Sequence, residues 1–289
     1  MTTPAALLDS LLAARVDPPA LEWLRARIAS AERSFADAAF LLAFSSAPRR
    51  VGRADLAPTA RELERATQAR RGFRPGLWTV DQAARARLLL ALPSPDPAAY
   101  VKTLDRLFDD ADLGELVALY SALPLLPHPS RHRERAAEGI RSNMKTVFEA
   151  VALRNPYPAE ELEDPAWNQL VLKCLFVGSP LVEVEGFDSR VNPPLARMLA
   201  DFAHERWAAG RPVPPELWRG LAPLSEGPLL ADVERVLRTG TDVEIAAAAL
   251  GARNNPRAAA LLGAHRSAVD RALAAYATWD AVATARPVT

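Results

Sequence analysis

Asp201 and His204 stand three residues apart in "LADFAHERW", the spacing that sets a carboxylate and an imidazole on one face of a helix. Such a pair is half of a carboxylate-bridged dimetal site. No second Glu-x-x-His occurs in the chain, so a metal centre would need acids from elsewhere, such as Glu149, and no metal site is assigned. The enzymatic alternative uses His204 and its neighbouring carboxylates as acid/base groups or metal ligands. Lys173 is the other candidate. It is one of only three lysines, with Lys102 and Lys145, in a chain whose cations are otherwise arginine. Its segment is apolar nearly all the way round, and a bare ammonium drawn into such surroundings costs several kcal/mol unless an acid or an anionic ligand meets it. Glu149, Asp188, Asp201 and Glu205 are the acids in sequence reach.

Around these groups lie Asn143, Tyr157, Trp167 and Asn168, amides and rings suited to ligand contact or to packing a corner. Asn143, Glu149, Tyr157, Trp167, Asn168, Lys173, Asp201 and His204 are therefore expected to converge on an interhelical pocket for a small molecule or a partner protein. Other motifs carry less. "DDADLGE" (109–115) has the acids of a magnesium-diphosphate motif, but Asp109, Asp110 and Asp112 between two helices are better read as caps. Cys174 lies on an apolar face and reads as an inert core thiol. There is no phosphate loop, dinucleotide fingerprint or nucleophile elbow, and no cofactor is expected.

The elements that must position these residues read as helices. The expected spans are 4–14, 18–31, 33–46, 79–92, 96–109, 113–123, 132–153, 165–177, 193–209, 226–238, 241–251, 255–264 and 266–280. Many begin at one of 25 prolines, which start and stop helices here instead of forming a linker. Helix 132–153 presents Ile140, Met144, Val147 and Val151 as a core stripe, with Lys145 and Glu149 paired on the polar side. "RNPYP" then stops it, with Asn155 and Tyr157 both extended because each precedes proline. Asp164 caps the next helix. "LVEVEG" (181–186) alternates like a short extended piece. An Arg-rich connection at 47–77 holds a polar helix around "TARELERATQA" and reads as a surface loop or hinge. The fold class is all-α, an irregular orthogonal helical array in one domain spanning 1–289, whose last helices can stack like a solenoid.

Bulk composition sets limits. With 35 basic and 35 acidic residues the formal charge is zero, so no overall pull toward nucleic acid or anionic lipid is expected. Charge is uneven: residues 49–87 hold ten arginines against four acids and residues 155–250 fifteen acids against eight bases. The basic front is therefore expected to pair with the acidic half inside the fold, with attraction of an anionic partner or the interface of a helical interaction scaffold as the alternatives. One cysteine excludes an intramolecular disulfide and fits a reducing compartment. The N-terminus lacks the features of a secretion signal, and no apolar run reaches the ~20 residues that span a bilayer. A cytoplasmic protein is expected.

Three strings go further: "ERAAEGIRSNMKTVFEAVALRNPYP", "DPAWNQLVLKCLFVGSPL" and "NPPLARMLADFAHERWAAGRPVPPELW". Together they resemble the EboA family of bacterial and algal proteins, densely over about 135–218 and more weakly on either side. The resemblance implies a role in traffic of a secondary-metabolite precursor toward the cell envelope, beside a prenyltransferase-like membrane protein and sugar-phosphate or hydrolase-like enzymes. It implies a non-catalytic binding or adaptor protein, whose partners are a small-molecule metabolite or proteins of the same gene cluster. It carries over no catalytic residue.

Overall fold

The computed structural model describes residues 2–33 and 38–285. Among these residues there are eighteen α-helices joined by short 3-10 turns, and no β-strand; one isolated antiparallel bridge links Asp55 to Thr79. The chain is an all-α helical array. Backbone contacts divide it into two compact units, Met1–Leu162 and Glu163–Thr289.

The first unit contains α1 (Pro4–Ala13), α2 (Pro18–Ala31), α3 (Ala38–Val51), α4 (Ala60–Ala69), α5 (Val80–Leu89), α6 (Pro97–Asp109), α7 (Leu113–Ala122), α8 (Arg133–Arg141), α9 (Lys145–Ala152) and α10 (Tyr157–Glu161). The start expected for α3, at residue 33, adjoins 34–37, which lie outside the described residues. At the centre is α5, packed against α1, α2, α3 and α7, with every residue but Gln82 buried. Its Ala-rich sequence lets neighbours approach closely, and that closeness buries two arginines. Arg85 is 1% exposed and Arg87 9%. Arg87 is held by Asp9 at 2.8 Å, and Arg85 by Asp81 at 2.8 Å, one turn away on the same helix.

The Arg-rich segment is part of this core. Leu56, Ala66 and Phe73 are buried, and α4 opens with a reciprocal Thr59–Glu62 capping box. Arg15 of the α1–α2 turn reaches Glu62 with two nitrogens, at 3.1 and 2.6 Å. Arg70 pairs with Glu160. Gly72 takes φ +74°, and a Cβ there would meet the Pro156 ring at 2.8 Å, so this glycine lets the segment lie against the corner after α9. The hydrogen bonds from Arg15 hold the Glu62 carboxyl at about 2, below its ordinary 4.5. A depressed folded-state pKa contributes stability above the unfolded value and loses it as pH falls through the folded one. Urea unfolding from pH 5 to 2 should therefore show a steeper stability loss in the wild type than in Glu62→Gln.

The second unit contains α11 (Asp164–Val177), α12 (Pro193–Ala208), α13 (Trp218–Leu221), α14 (Pro228–Thr239), α15 (Asp242–Ala252), α16 (Ala259–Ala264), α17 (Arg266–Ala275) and α18 (Trp279–Thr284). Here α15 is central, buried from Ile245 to Ala252 and touched by α13, α14, α17 and α18. A Cβ on Gly251 would come within 2.4 Å of the Trp218 carbonyl oxygen, so only a glycine lets α15 lie this close to the backbone of α13. No helix of the described residues is long and apolar enough to cross a membrane.

Five local expectations differ from what the chain does. The single helix 132–153 is two, α8 and α9, because the Ser142 hydroxyl accepts the Met144 amide at 3.1 Å and turns the backbone out of the helix. Met144, expected inside, is 46% exposed. Tyr157 is not extended but begins α10, its amide bonded to Asn155 Oδ1 at 3.0 Å. Asp164 is the first residue of α11, with Glu163 as its cap, and Leu181–Glu183 form a 3-10 turn in place of an extended piece. Of the "DDADLGE" acids, Asp112 caps α7 in a reciprocal box with Glu115, whereas Asp109 pairs with Arg135 at 2.9 Å.

Candidate functional site

Asn155 organises the corner after α9. The helix ends at Ala152, and two residues further on Arg154 adopts φ +52°, a left-handed value uncommon outside glycine. Asn155 is 3% exposed and satisfies its amide locally: Nδ2 donates to Tyr120 O at 3.0 Å and to Ala150 O at 2.9 Å, while Oδ1 accepts from the Tyr157 amide. The buried Tyr157 hydroxyl donates to Pro129 O at 2.6 Å, and burial raises its pKa above the ordinary phenol value. These contacts explain the polar, proline-rich corner as a lock that joins α7, α9 and α10.

Beside this lock the first unit carries a two-lobed groove between α5, α7 and α9. The smaller lobe, about 180 Å³, is lined by Trp78, Arg74, Ser121, Glu149, Arg154 and Asn155 among others. The larger, about 640 Å³, is lined by Arg53, Thr79, Asp81, Arg85, Asp112 and Leu113 among others. Gln82, Val117 and Thr146 line both lobes and make them one depression. The floor of the larger lobe is preorganised. Arg85 donates to Phe44 O at 3.1 Å and to Asp81 at 2.8 Å, with Glu115 at 3.8 Å, and burial lowers its pKa. Asp81 also accepts the Thr79 hydroxyl at 2.6 Å.

Of the eight residues singled out by sequence, three lie in the first unit. Glu149, half-buried, lines the groove and faces Lys145 at 3.7 Å, the pairing expected from their spacing. Asn143 is exposed in the break between α8 and α9, and Tyr157 is buried in the lock.

The other five lie in the second unit. Trp167 is fully buried beneath the Arg190 guanidinium, 5.1 Å from its ring centre. Asn168 exchanges two amide hydrogen bonds with Asn192, at 3.1 and 2.8 Å, while Asn192 also caps α12 through the Leu195 amide at 2.9 Å. Asn168 thus ties α11 to the start of α12. Lys173 is half-buried, and burial lowers its pKa. The helix that carries it is not enclosed all round as expected, since Phe176 is 80% exposed. Asp201 is exposed; His204 turns to α14, where its Nε2 lies 2.7 Å from Asp232 Oδ1. Among the described residues no group of three or more His, Cys, Asp or Glu side chains is arranged to hold a metal ion.

Sequence reasoning missed Arg74, Gln82, Arg85, Thr146 and Arg154 as groove residues. The signal for Arg85 was present: Asp81 sits four residues earlier, on an Ala-rich helix with almost no polar face to spare.

No match was found among curated proteins or among solved structures. The family model described as "Metabolite traffic protein EboA" matches residues 4–222, which takes in the groove, the Asn155 lock and the helices of the second unit through α13. A match over that much of 289 residues, on the same strings whose resemblance was noted from sequence, places the chain in the EboA family of metabolite traffic proteins.

Proposed function

We propose that this protein is a non-catalytic binding or adaptor protein that holds a small metabolite, a secondary-metabolite precursor, during its passage toward the cell envelope. It acts in the cytoplasm and hands its ligand to partners encoded with it, including a membrane-associated one. The observation that carries this reading is the two-lobed groove: its larger lobe falls within the ~300–1,000 Å³ usual for ligand sites, and its polar floor is already hydrogen-bonded. Glu149 is the contact that the groove shares with the set singled out by sequence. In the second unit Lys173, Asp201 and His204 are proposed as contacts to a ligand or partner, with the buried Trp167 and Asn168 holding their helices in place; in the first, Asn143 is proposed as a contact and the buried Tyr157 as its support.

Native mass spectrometry of the protein purified from its own host tests the groove. The wild type should carry a stoichiometric small-molecule adduct. Thr146→Trp, which places an indole from an exposed position into the wall common to both lobes, should lose it. A wild type without an adduct, or a Thr146→Trp protein that keeps one, would remove the groove from consideration.

A further inference from the structure

We infer that the groove selects an uncharged, oxygen-bearing apolar molecule, whose carbonyl, ether or hydroxyl oxygen accepts a hydrogen bond from the Gln82 side chain where the two lobes meet. The inference rests on the reading of the groove as the ligand site and deepens it.

The charged residues of the groove are engaged within the chain. Asp81 accepts the Thr79 hydroxyl with one oxygen and Arg85 with the other, and Arg85 also donates to Phe44 O. Asp112 Oδ1 accepts the Glu115 amide at 2.8 Å. In the smaller lobe Glu149 lies 3.7 Å from Lys145, and Arg74 and Arg154 have partners in the chain as well. Arg53 is the exception, an exposed side chain at the larger lobe. Its charge is offset there, because Arg53 and Arg85 share the lining with Asp81 and Asp112, and Glu115 lies 3.8 Å from Arg85. An anion entering this lobe would exchange its water for a floor with no positive charge in excess. A cation would find both oxygens of Asp81 taken.

Two polar groups are left over, Gln82 and Thr146, and both line both lobes. Gln82 Oε1 accepts the Thr79 amide at 2.9 Å, which only the oxygen end of a carboxamide can do. Its NH2 end is thereby committed as a donor, and it has no partner among the described residues. The Thr146 hydroxyl, on an exposed residue, is equally without one and can donate or accept. A ligand oxygen beside Gln82 satisfies the amide and displaces no bond of the fold.

The apolar half of the argument comes from the rim. Six large hydrophobic side chains are exposed among the described residues, and two of them line the groove: Leu77, 70% exposed, in the smaller lobe and Leu113, 49%, in the larger. Trp78 and Val117 add to the apolar wall. Covering these side chains rewards an apolar body, while the one fixed donor sets where its oxygen must lie.

Three naphthalenes that share a dimethylamino group test the assignment at neutral pH: the propionyl ketone (prodan), the parent without an acyl group, and the carboxylate. The ketone should bind the full-length protein at one saturable site, about ten-fold more tightly than the carboxylate, and should be lost in Thr146→Trp. Gln82→Glu keeps the oxygen that the Thr79 amide needs and removes the donor. It should weaken the ketone about five-fold and leave the parent unchanged. Emission of the bound ketone, which moves to longer wavelength when its carbonyl accepts a hydrogen bond, should move to shorter wavelength in this variant. Gln82→Met should weaken the ketone to the same degree, which separates loss of the donor from gain of a charge. Carboxylate binding as tight as that of the ketone would overturn the selection for an uncharged ligand. Equal losses of ketone and parent in Gln82→Glu, or a parent that binds as tightly as the ketone, would overturn the role of Gln82. Retention of the ketone by Thr146→Trp, or no saturable site for any of the three in the wild type, would instead overturn the groove itself.

Discussion

Arg85→Met should destabilise the protein by about 3–5 kcal/mol, the usual result of deleting one partner from a buried charge pair. The side chain is almost fully buried between Asp81, Glu115 and the Phe44 carbonyl oxygen. Methionine fills much of its volume but leaves two carboxylates in a poorly solvated pocket. Neutralising one of them is therefore informative: Arg85→Met combined with Asp81→Asn should recover part of the loss, although each single change is harmful. Chemical denaturation of the two single variants and the double variant measures this coupling directly. Additive losses would mean that Arg85 acts only by filling space. The same cycle bears on the groove, since this cluster forms the floor of its larger lobe.

Trp218→Ala should cost a similar amount, about 3–5 kcal/mol, for a different reason. Trp218 is fully buried, stacks on Trp207 with ring centres 6.2 Å apart, and stands where α13 meets Gly251 of α15. Removing the indole opens a cavity that these neighbours cannot close, because Gly251 already lies against the Trp218 backbone. Its Nε1 is buried without a hydrogen-bond partner among the described residues. Trp218→Phe gives up that N–H along with some volume, so it should cost clearly less than alanine. Thermal or urea unfolding that ranks phenylalanine as damaging as alanine would show that the indole nitrogen is satisfied in solution.

Much of the helical plan was legible because its punctuation is local. Pro18–Ala31 matches the expected span, and Asn192 caps the helix that Pro193 starts, as the residue types require. The break at Ser142 was hidden for a physical reason: Ile140, Met144, Val147 and Val151 keep helical spacing straight across it, and one side-chain hydrogen bond outweighs the periodicity. Tyr157 went the same way, its amide captured by Asn155 despite the following proline. For the site, burial rules stated that Asn155 and Asn168 must be satisfied, but only the fold shows by what: carbonyl oxygens and a backbone amide for one, the amide of Asn192 for the other. For the Arg-rich stretch the charges left two readings, pairing with acids inside the fold or an interface for a partner. Arg70 is paired with Glu160 and Arg85 with Asp81, and their neighbours Ala66 and Phe73 are core.

The place of α15 in the second unit has a consequence for how the chain is made. Chains leave the ribosome from the N-terminus at roughly 5–20 residues per second. In the first unit α1, α2 and α3 emerge before the middle helix, α5, that they pack against. In the second, α13 and α14 are likewise synthesised before the alanine-rich α15. During that delay Trp218 and Leu221 lack their cover, so nascent chains stalled between α13 and α15 are the species that chaperones should grip most tightly.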